Sequence, residues 1–278
     1  MPVIKLIIQA MRKIIILISF LLLSQAIWTQ PLPFKLKHTL IIDTDCAIDD
    51  MRALSLLLNR PEITIKAILL SDGSLSPTDG AIKVNSLLKE FNLENIPVAC
   101  GDLLKEINPS WREFNRQINW GKVSDHQVSV LNAVDCLIEN LKNANEKVII
   151  VCLGPLTNIA QLINKDPGLE SKVERIVWYN ESVKPLQGFN YECDKASANT
   201  VFKSKIRIDV ISNLGKDKIL FDTSLFSECL KSKHFFPLSL KMYSFNHWLL
   251  KNCNKTISCY VMTSWLYTSQ IQNYSTLI

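Results

Sequence analysis

Residues 40–50 read LIIDTDCAIDD, an apolar run that ends in four carboxylates, Asp43, Asp45, Asp49 and Asp50, within eight positions. The pattern predicts a buried strand over Thr39–Ile42 and a helix over Met51–Asn59. The acids therefore fall where a strand ends and a helix begins, a common place for ligand sites in open α/β sheets. Like charges this close repel and raise each other's pKa unless a cation is present. Oxygen donors at this density suit Ca²⁺ or Mg²⁺ better than Zn²⁺. A solvated acidic turn with a capping Asp is the plainer alternative, but such a turn has no need of so many acids.

Further strand patterns follow at Ile63–Leu70, Ile96–Cys100, Lys147–Leu153, Val173–Tyr179 and Ile206–Ile211. Helical spacing of apolar residues recurs over Ala81–Phe91, Val128–Leu141 and Ile159–Ile163. Strands alternating with helices predict an α/β fold, a Rossmann-like and mostly parallel sheet with helices on both faces. Two strands end in polar, glycine-bearing turns, Ser71-Asp72-Gly73-Ser74 and Gly154-Pro155-Leu156-Thr157-Asn158. Asn108–Ser124 holds two Trp, has no clear period and reads as a long loop, a class of segment that is usually functional or mobile.

The first residues have the form of a secretory signal peptide: Arg12 and Lys13, the apolar run Ile14–Leu23, then Ser24-Gln25-Ala26. The apolar run is short for a membrane span, which needs about 20 residues. The expected layout is a leader at 1–26, a linker at 27–37, a domain at 38–251 and an atypical tail at 252–278. The protein is then exported, periplasmic or secreted, with no stable membrane insertion after cleavage. Residues 1–26 carry three bases and no acids, so their removal lowers the formal charge from +5 to +2. A nearly neutral body offers nothing to nucleic acid. Cys100, Cys136 and Cys152 lie in apolar segments, where free thiols pack as small hydrophobes, and the absence of any CxxC leaves a zinc site without support.

DTDCAIDD, then GPLTNIA at 154–160, then GFNYECDKASA at 188–198, resemble the inosine-uridine preferring nucleoside hydrolase family in order and spacing, over roughly His38 to Asp222. The resemblance implies a Rossmann-like fold that hydrolyses the N-glycosidic bond of a ribonucleoside, or a related N-riboside, with one bound Ca²⁺. By the same resemblance Asp45 is a calcium ligand and the base that deprotonates water, Asp50 a second ligand, and the Leu153 carbonyl a third. Asp49 and Asn190 contact ribose, and Asp43 supports the loop. A divalent ion lowers the pKa of bound water, a carboxylate in reach takes its proton, and carboxylates stabilise the cationic sugar that develops. Self-association is left open.

The chain departs from the family at several points. Cys46 and Ala47 stand where Pro-Gly is usual, Ser74 where an Asn is usual, and Gly188 where a Glu is usual. Asp72 and Glu192 are the acids available to compensate. The family's last calcium ligand is an Asp near the C-terminus, whereas this chain has no Asp after Asp222 and no Glu after Glu228. Read one frame over, from the last base of the Met262 codon, the tail permits DELAVYISNPKLF, which resembles the missing segment. The expectation is a frameshift upstream of Met262.

His126 and His247 are candidate acids for the leaving base, though neither lies in a motif. Trp178 and Tyr179, at the end of a predicted strand, are candidates to stack on a base, with Trp178 taken into the substrate site. Trp111 and Trp120 read as loop packing, and Thr157 and Asn158 as caps of the next helix. Two other functions fit parts of the sequence: a nucleoside- or sugar-binding protein without turnover, and a haloacid dehalogenase-type phosphatase with Asp43 and Asp45 as its DxD pair. The phosphatase has no place for the GPLTN and GFN motifs.

Overall fold

The computed structural model describes residues 37–121 and 131–212. The leader at 1–26, the linker as far as residue 36, His126, His247 and the tail at 252–278 lie outside them. Seven strands form one parallel sheet in the order β4-β3-β2-β1-β5-β6-β9. They are β1 (His38–Thr44), β2 (Ile63–Leu70), β3 (Val98–Cys100), β4 (Leu131–Asn132), β5 (Val148–Cys152), β6 (Val173–Tyr179) and β9 (Ile208–Ile211). A small antiparallel hairpin pairs β7 (Ser182–Val183) with β8 (Leu186–Gln187). The α/β fold and the mostly parallel sheet are those the alternating pattern predicted.

Successive side chains of each strand point to opposite faces, and both faces are covered. Leu40 and Ile42 of β1 and Val151 of β5 join one cluster with Met51, Leu54, Val84 and Leu87. These last four come from α1 (Ile48–Leu58) and α2 (Pro77–Phe91). Ile41, Ile150 and Cys152 join the other cluster with Leu137, Ile159 and Val201. Their partners lie on α4 (Ala133–Lys142), α5 (Thr157–Lys165) and α7 (Lys195–Lys203). Two-sided burial explains why the central strands read as unbroken apolar runs. Leu40, Ile41 and Ile42 are wholly buried, each contributing about 1.5–3 kcal/mol.

Several boundaries differ from expectation for local reasons. Helix α2 starts at Pro77, four residues before the apolar period, because the Ser76 hydroxyl caps it by accepting the Asp79 N–H at 3.2 Å. Within the predicted 128–141 helix, Leu131–Asn132 instead pairs with β3. The helix then begins at Ala133, where the Asn132 side chain accepts from Val134 N–H and Asp135 N–H. The predicted loop at 108–124 contains a short helix, α3 (Arg112–Gln117). The five described cysteines are free thiols. Among the described residues no helix is long and apolar enough to cross a membrane.

From β1 the chain works outward through β2, β3 and β4, then returns to the other side of β1 as β5 and continues to β6 and β9. The reversal of direction between β1 and β5 opens a crevice at their carboxyl ends. Asp43–Asp50 and Leu153–Asn158 meet there.

Candidate active site

Strand β1 ends at Thr44, and its hydroxyl ties the acidic turn together. Thr44 Oγ1 donates to Asp50 Oδ2 at 2.8 Å and accepts the Cys46 N–H at 2.9 Å. Cys46 turns the chain at φ 58°, a left-handed conformation that costs a non-glycine residue about 1–2 kcal/mol. It is one of the two positions where the family usually has Pro-Gly. The turn delivers Asp45 and Asp50, each 2% exposed, with Asp49 partly buried beside them.

Strand β2 supplies the second wall. Ser71 N–H donates to the Thr44 carbonyl at 3.0 Å, and Ser74 N–H donates to Asp45 Oδ2 at 2.7 Å. Gly73 lies directly against that oxygen, so closely that a Cβ there would collide with it. Strand β5 supplies the third wall. Leu153 N–H donates to the Asp43 carbonyl at 2.7 Å. At Gly154 a Cβ would lie 2.6 Å from Ser71 Oγ and 2.9 Å from Asp45 N. Both glycines permit approaches that no larger residue allows.

The electrostatics follow from burial of acids beside acids. Desolvation raises the Asp45 carboxyl, while hydrogen bonding to Asp50 and to Ser74 N–H works the other way. Asp50 is pushed well up by burial and then by the Asp45 and Asp49 charges. Asp49 is raised mainly by burial. Asp43, wholly buried, rises from 3.8 to about 8 through burial, opposed by hydrogen bonding to Asn158. Cys193 is pushed up to about 12 by burial and then by Asp45 and Asp72, so its thiol stays protonated and unreactive.

These residues fit a hard cation in donor chemistry. Asp45 and Asp50 offer carboxylate oxygens that otherwise repel, and Leu153 offers a carbonyl at the same crevice. The Asn190 amide occupies one lone pair of that carbonyl at 2.6 Å, and a second remains. Among the described residues no three His, Cys, Asp or Glu side chains converge as a ligand set. Calcium takes six to eight oxygens, more than the three donors that meet here.

The structure brings Asp43, Asp45, Asp49, Asp50, Ser74, Leu153 and Asn190 to this one crevice. Asn190 is held from two sides, donating to the carbonyls of Leu153 and of Tyr179, the latter at 3.1 Å. Trp178 is the correction. It alternates onto the face covered by α5 and α7, is wholly buried, packs edge-on against Phe202 and donates its indole N–H to the Gly154 carbonyl at 3.1 Å. A ring enclosed on all sides has no face to offer a base. Asn158 does not cap α5 either. Its amide bridges Asp43 Oδ1 at 3.2 Å and the Leu70 carbonyl at 3.3 Å. Thr157 bonds Asp194 instead.

Of the two acids named to compensate for the altered ribose contacts, Asp72 is held in a buried ion pair with Arg112, whereas Glu192, paired with Lys195, is half exposed. Gly188, at φ 134°, could not carry a side chain in this backbone, because a Cβ would lie 2.8 Å from Glu181 Cβ and 2.9 Å from Asn180 Oδ1. Glu181 is the carboxylate held at this turn, accepting the Phe189 N–H at 3.5 Å.

Trp111, read as loop packing, also reaches this crevice. Its indole N–H donates to Ser74 Oγ at 3.3 Å, and its ring meets Phe189 edge-to-face with centroids 5.0 Å apart. It remains 44% exposed. A Trp followed by an Arg in an otherwise polar stretch was the available signal. Trp120, by contrast, is a core residue, as loop packing required.

Comparison with known proteins agrees with this geometry. A stretch of 188 residues is 32% identical to the pyrimidine-specific ribonucleoside hydrolase RihA of Shewanella sp. (strain ANA-3), covering 62% of this chain and 58% of that protein. The chain thus spans less than two thirds of the length of the curated relatives it matches. The fold is similar to an inosine-uridine preferring nucleoside hydrolase from Bacillus anthracis, with TM-score 0.69 and 17% identity over 84% of this chain and 82% of that one. It is also similar to a plant nucleoside hydrolase, with TM-score 0.68 and 24% identity over 81% and 76% of the two chains. The phosphatase alternative falls with these matches. Residues 40–264 match the family's sequence pattern, and the chain belongs to the inosine-uridine preferring nucleoside hydrolases.

Proposed function

We propose that this protein hydrolyses the N-glycosidic bond of a ribonucleoside, with pyrimidine ribonucleosides the first class to test because the matched RihA proteins carry that name. The carrying observation is the placement of Asp45. Its Oδ2 is fixed by the Ser74 N–H at 2.7 Å, and it adjoins Asp50 at the crevice between β1 and β5. Asp45, Asp50 and the Leu153 carbonyl are the residues that would hold Ca²⁺. When bound, such a cation acidifies water and neutralises the clustered acids.

The protein's own groups do the rest. Asp45 accepts a proton from the attacking water as the water oxygen bonds to the anomeric carbon. The bond from that carbon to the base nitrogen breaks, its electron pair leaving with the base, which takes a proton from solvent. Asp49 and Asp45 lie where positive charge develops on the sugar and stabilise it. Asp49 binds ribose hydroxyls, Asn190 contacts the ribose, and Trp111 with Phe189 offers an aromatic surface for the base. Export by the leader at 1–26 belongs to the same proposal.

Reducing-sugar release from a panel of nucleosides, led by uridine and cytidine with Ca²⁺ added, tests this. Asp45→Ala is expected to lower turnover by about 100-fold or more, the usual contribution of a general base. Turnover unaffected by that change would end the mechanism. A nucleoside-binding protein without turnover is the second reading, favoured by Ser74 and Gly188, which stand where the family usually has Asn and Glu. Saturable nucleoside binding with no sugar release would establish it. Resequencing the region before Met262 decides whether a shifted frame restores the C-terminal acid.

A further inference from the structure

Asp72 and Arg112 form an ion pair of 2.8 Å beside the acid cluster, with side chains 1% and 12% exposed. Asp72 also accepts the Leu104 N–H at 2.8 Å, so one carboxylate ties two separate stretches of the 102–117 segment to the tip of β2. Arg112 Nη2 donates a second time, to the Gly73 carbonyl at 2.6 Å. It therefore grips residues 72 and 73, and the next residue, Ser74, is the one whose N–H holds Asp45 Oδ2. Gly73 itself lies against that oxygen. A small movement of this turn moves the hydrogen bond that aims Asp45.

The same helix contains a natural control. Arg116, one turn beyond Arg112, pairs with Asp79 in the first turn of α2 at 3.1 Å. That contact docks α3 on α2 without touching residues 71–74. Docking of α3 and aiming of Asp45 are thus carried by two different arginines.

We propose that Arg112 is a positioning residue for the reaction: through Asp72 and the Gly73 carbonyl it fixes the β2 turn so that Ser74 N–H orients Asp45. The proposal rests on the hydrolase reading for its kinetic consequence but not for its structural one. An ion pair serving stability alone would alter folding and leave the orientation of Asp45 untouched.

The test uses the full chain with Ca²⁺ and the best nucleoside of the panel, comparing Arg112→Gln, Arg112→Lys and Arg116→Ala. Arg112→Gln is expected to lower kcat about 100-fold with KM within about twofold, since an ångström of misplacement costs a rate of that order. Amide hydrogen exchange at Ser74 is expected to accelerate in the same variant. Arg112→Lys keeps the charge, but both bonds come from Nη2 and a lysine chain of different reach must bring its Nζ to that point, so an intermediate loss of about 10-fold is expected. Arg116→Ala is expected to leave kcat and Ser74 exchange unchanged. Retained kcat and retained Ser74 protection in both Arg112 variants would overturn the proposal, as would equal losses in Arg116→Ala. Should the unmodified chain release no sugar, the hydrolase reading fails and Ser74 exchange alone decides. Faster exchange in the Arg112 variants and not in Arg116→Ala supports the proposal, and unchanged exchange refutes it.

Discussion

Leu153 N–H donates to the carbonyl of Asp43 at 2.7 Å, joining residues 110 positions apart in the chain. This bond extends the β1–β5 pairing past the last ladder residues, Asp43 opposite Cys152. It sets the Leu153 carbonyl and Gly154 beside Asp45 at the point where the strand order reverses. Everything the site does depends on that junction, and four consequences can be measured.

Gly73→Ala places a methyl group against Asp45 Oδ2. Either the carboxylate or the 71–74 turn must shift, and kcat is expected to fall by about 100-fold. Steady-state kinetics check this, with a thermal melt confirming that the variant is folded. Unaltered kcat would mean the turn yields without disturbing Asp45.

Trp111→Ala removes the exposed ring that meets Phe189 and Ser74. Stacking on an aromatic contributes about 1–3 kcal/mol per base, so KM for nucleosides is expected to rise about 10-fold or more, with kcat less affected. A quench of Trp111 emission on adding nucleoside to Asp45→Ala would report the same contact without turnover.

Trp178→Phe is expected to behave oppositely. It leaves the buried Gly154 carbonyl without the indole donor now 3.1 Å away, at a cost of about 1–3 kcal/mol. Urea unfolding should register that loss, and KM should stay as it was. A raised KM with unchanged stability would return Trp178 to the substrate site.

Asp43 gives the protein a pH-dependent stability. Its carboxyl rises from 3.8 to about 8 on burial, so between these values the folded chain holds a proton that the unfolded chain has released. Stability therefore falls as pH rises from about 4 to about 8, by up to about 1.4 kcal/mol per pH unit from this group. Unfolding free energies at pH 5, 6 and 7 in chelator should show that slope, and Asp43→Asn should remove this share of it. Parallel slopes for the two proteins would assign the effect elsewhere.

Much of the architecture was legible because it rests on short-range patterns. The strand over Ile63–Leu70 and the strand over Val173–Tyr179 begin and end where their patterns do, because each alternates at its start and closes on a buried apolar run. The helix starts were less legible. Those of α2 and α4 depend on Ser76 and Asn132 as caps, and a single polar residue before an apolar period is a weak signal. Helix α3 was not legible, because a six-residue helix shows no full apolar period and is held as much by Arg112 and Arg116 bonding to acids of another segment as by Phe114 against the core.

By itself the sequence determined the family, the strand that carries Asp43 and Asp45, and the list of acids that crowd its tip. Those are properties of neighbouring residues, and spacing along the chain is enough to read them. Only the tertiary structure decided which aromatic ring lies at the crevice. Trp178 and Tyr179 are adjacent in β6, and strand alternation sends Trp178 into the core. Trp111, from a segment with no period, is brought to Ser74 and Phe189 by contacts 37 and 78 residues away in the chain. The four acids of LIIDTDCAIDD were likewise not a site until β2 and β5 closed on them. Orientation of Asp45 comes from the Ser74 N–H, burial comes from Gly73 and Gly154, and neither can be inferred from the acidic stretch, because both depend on which strand tips the fold places side by side.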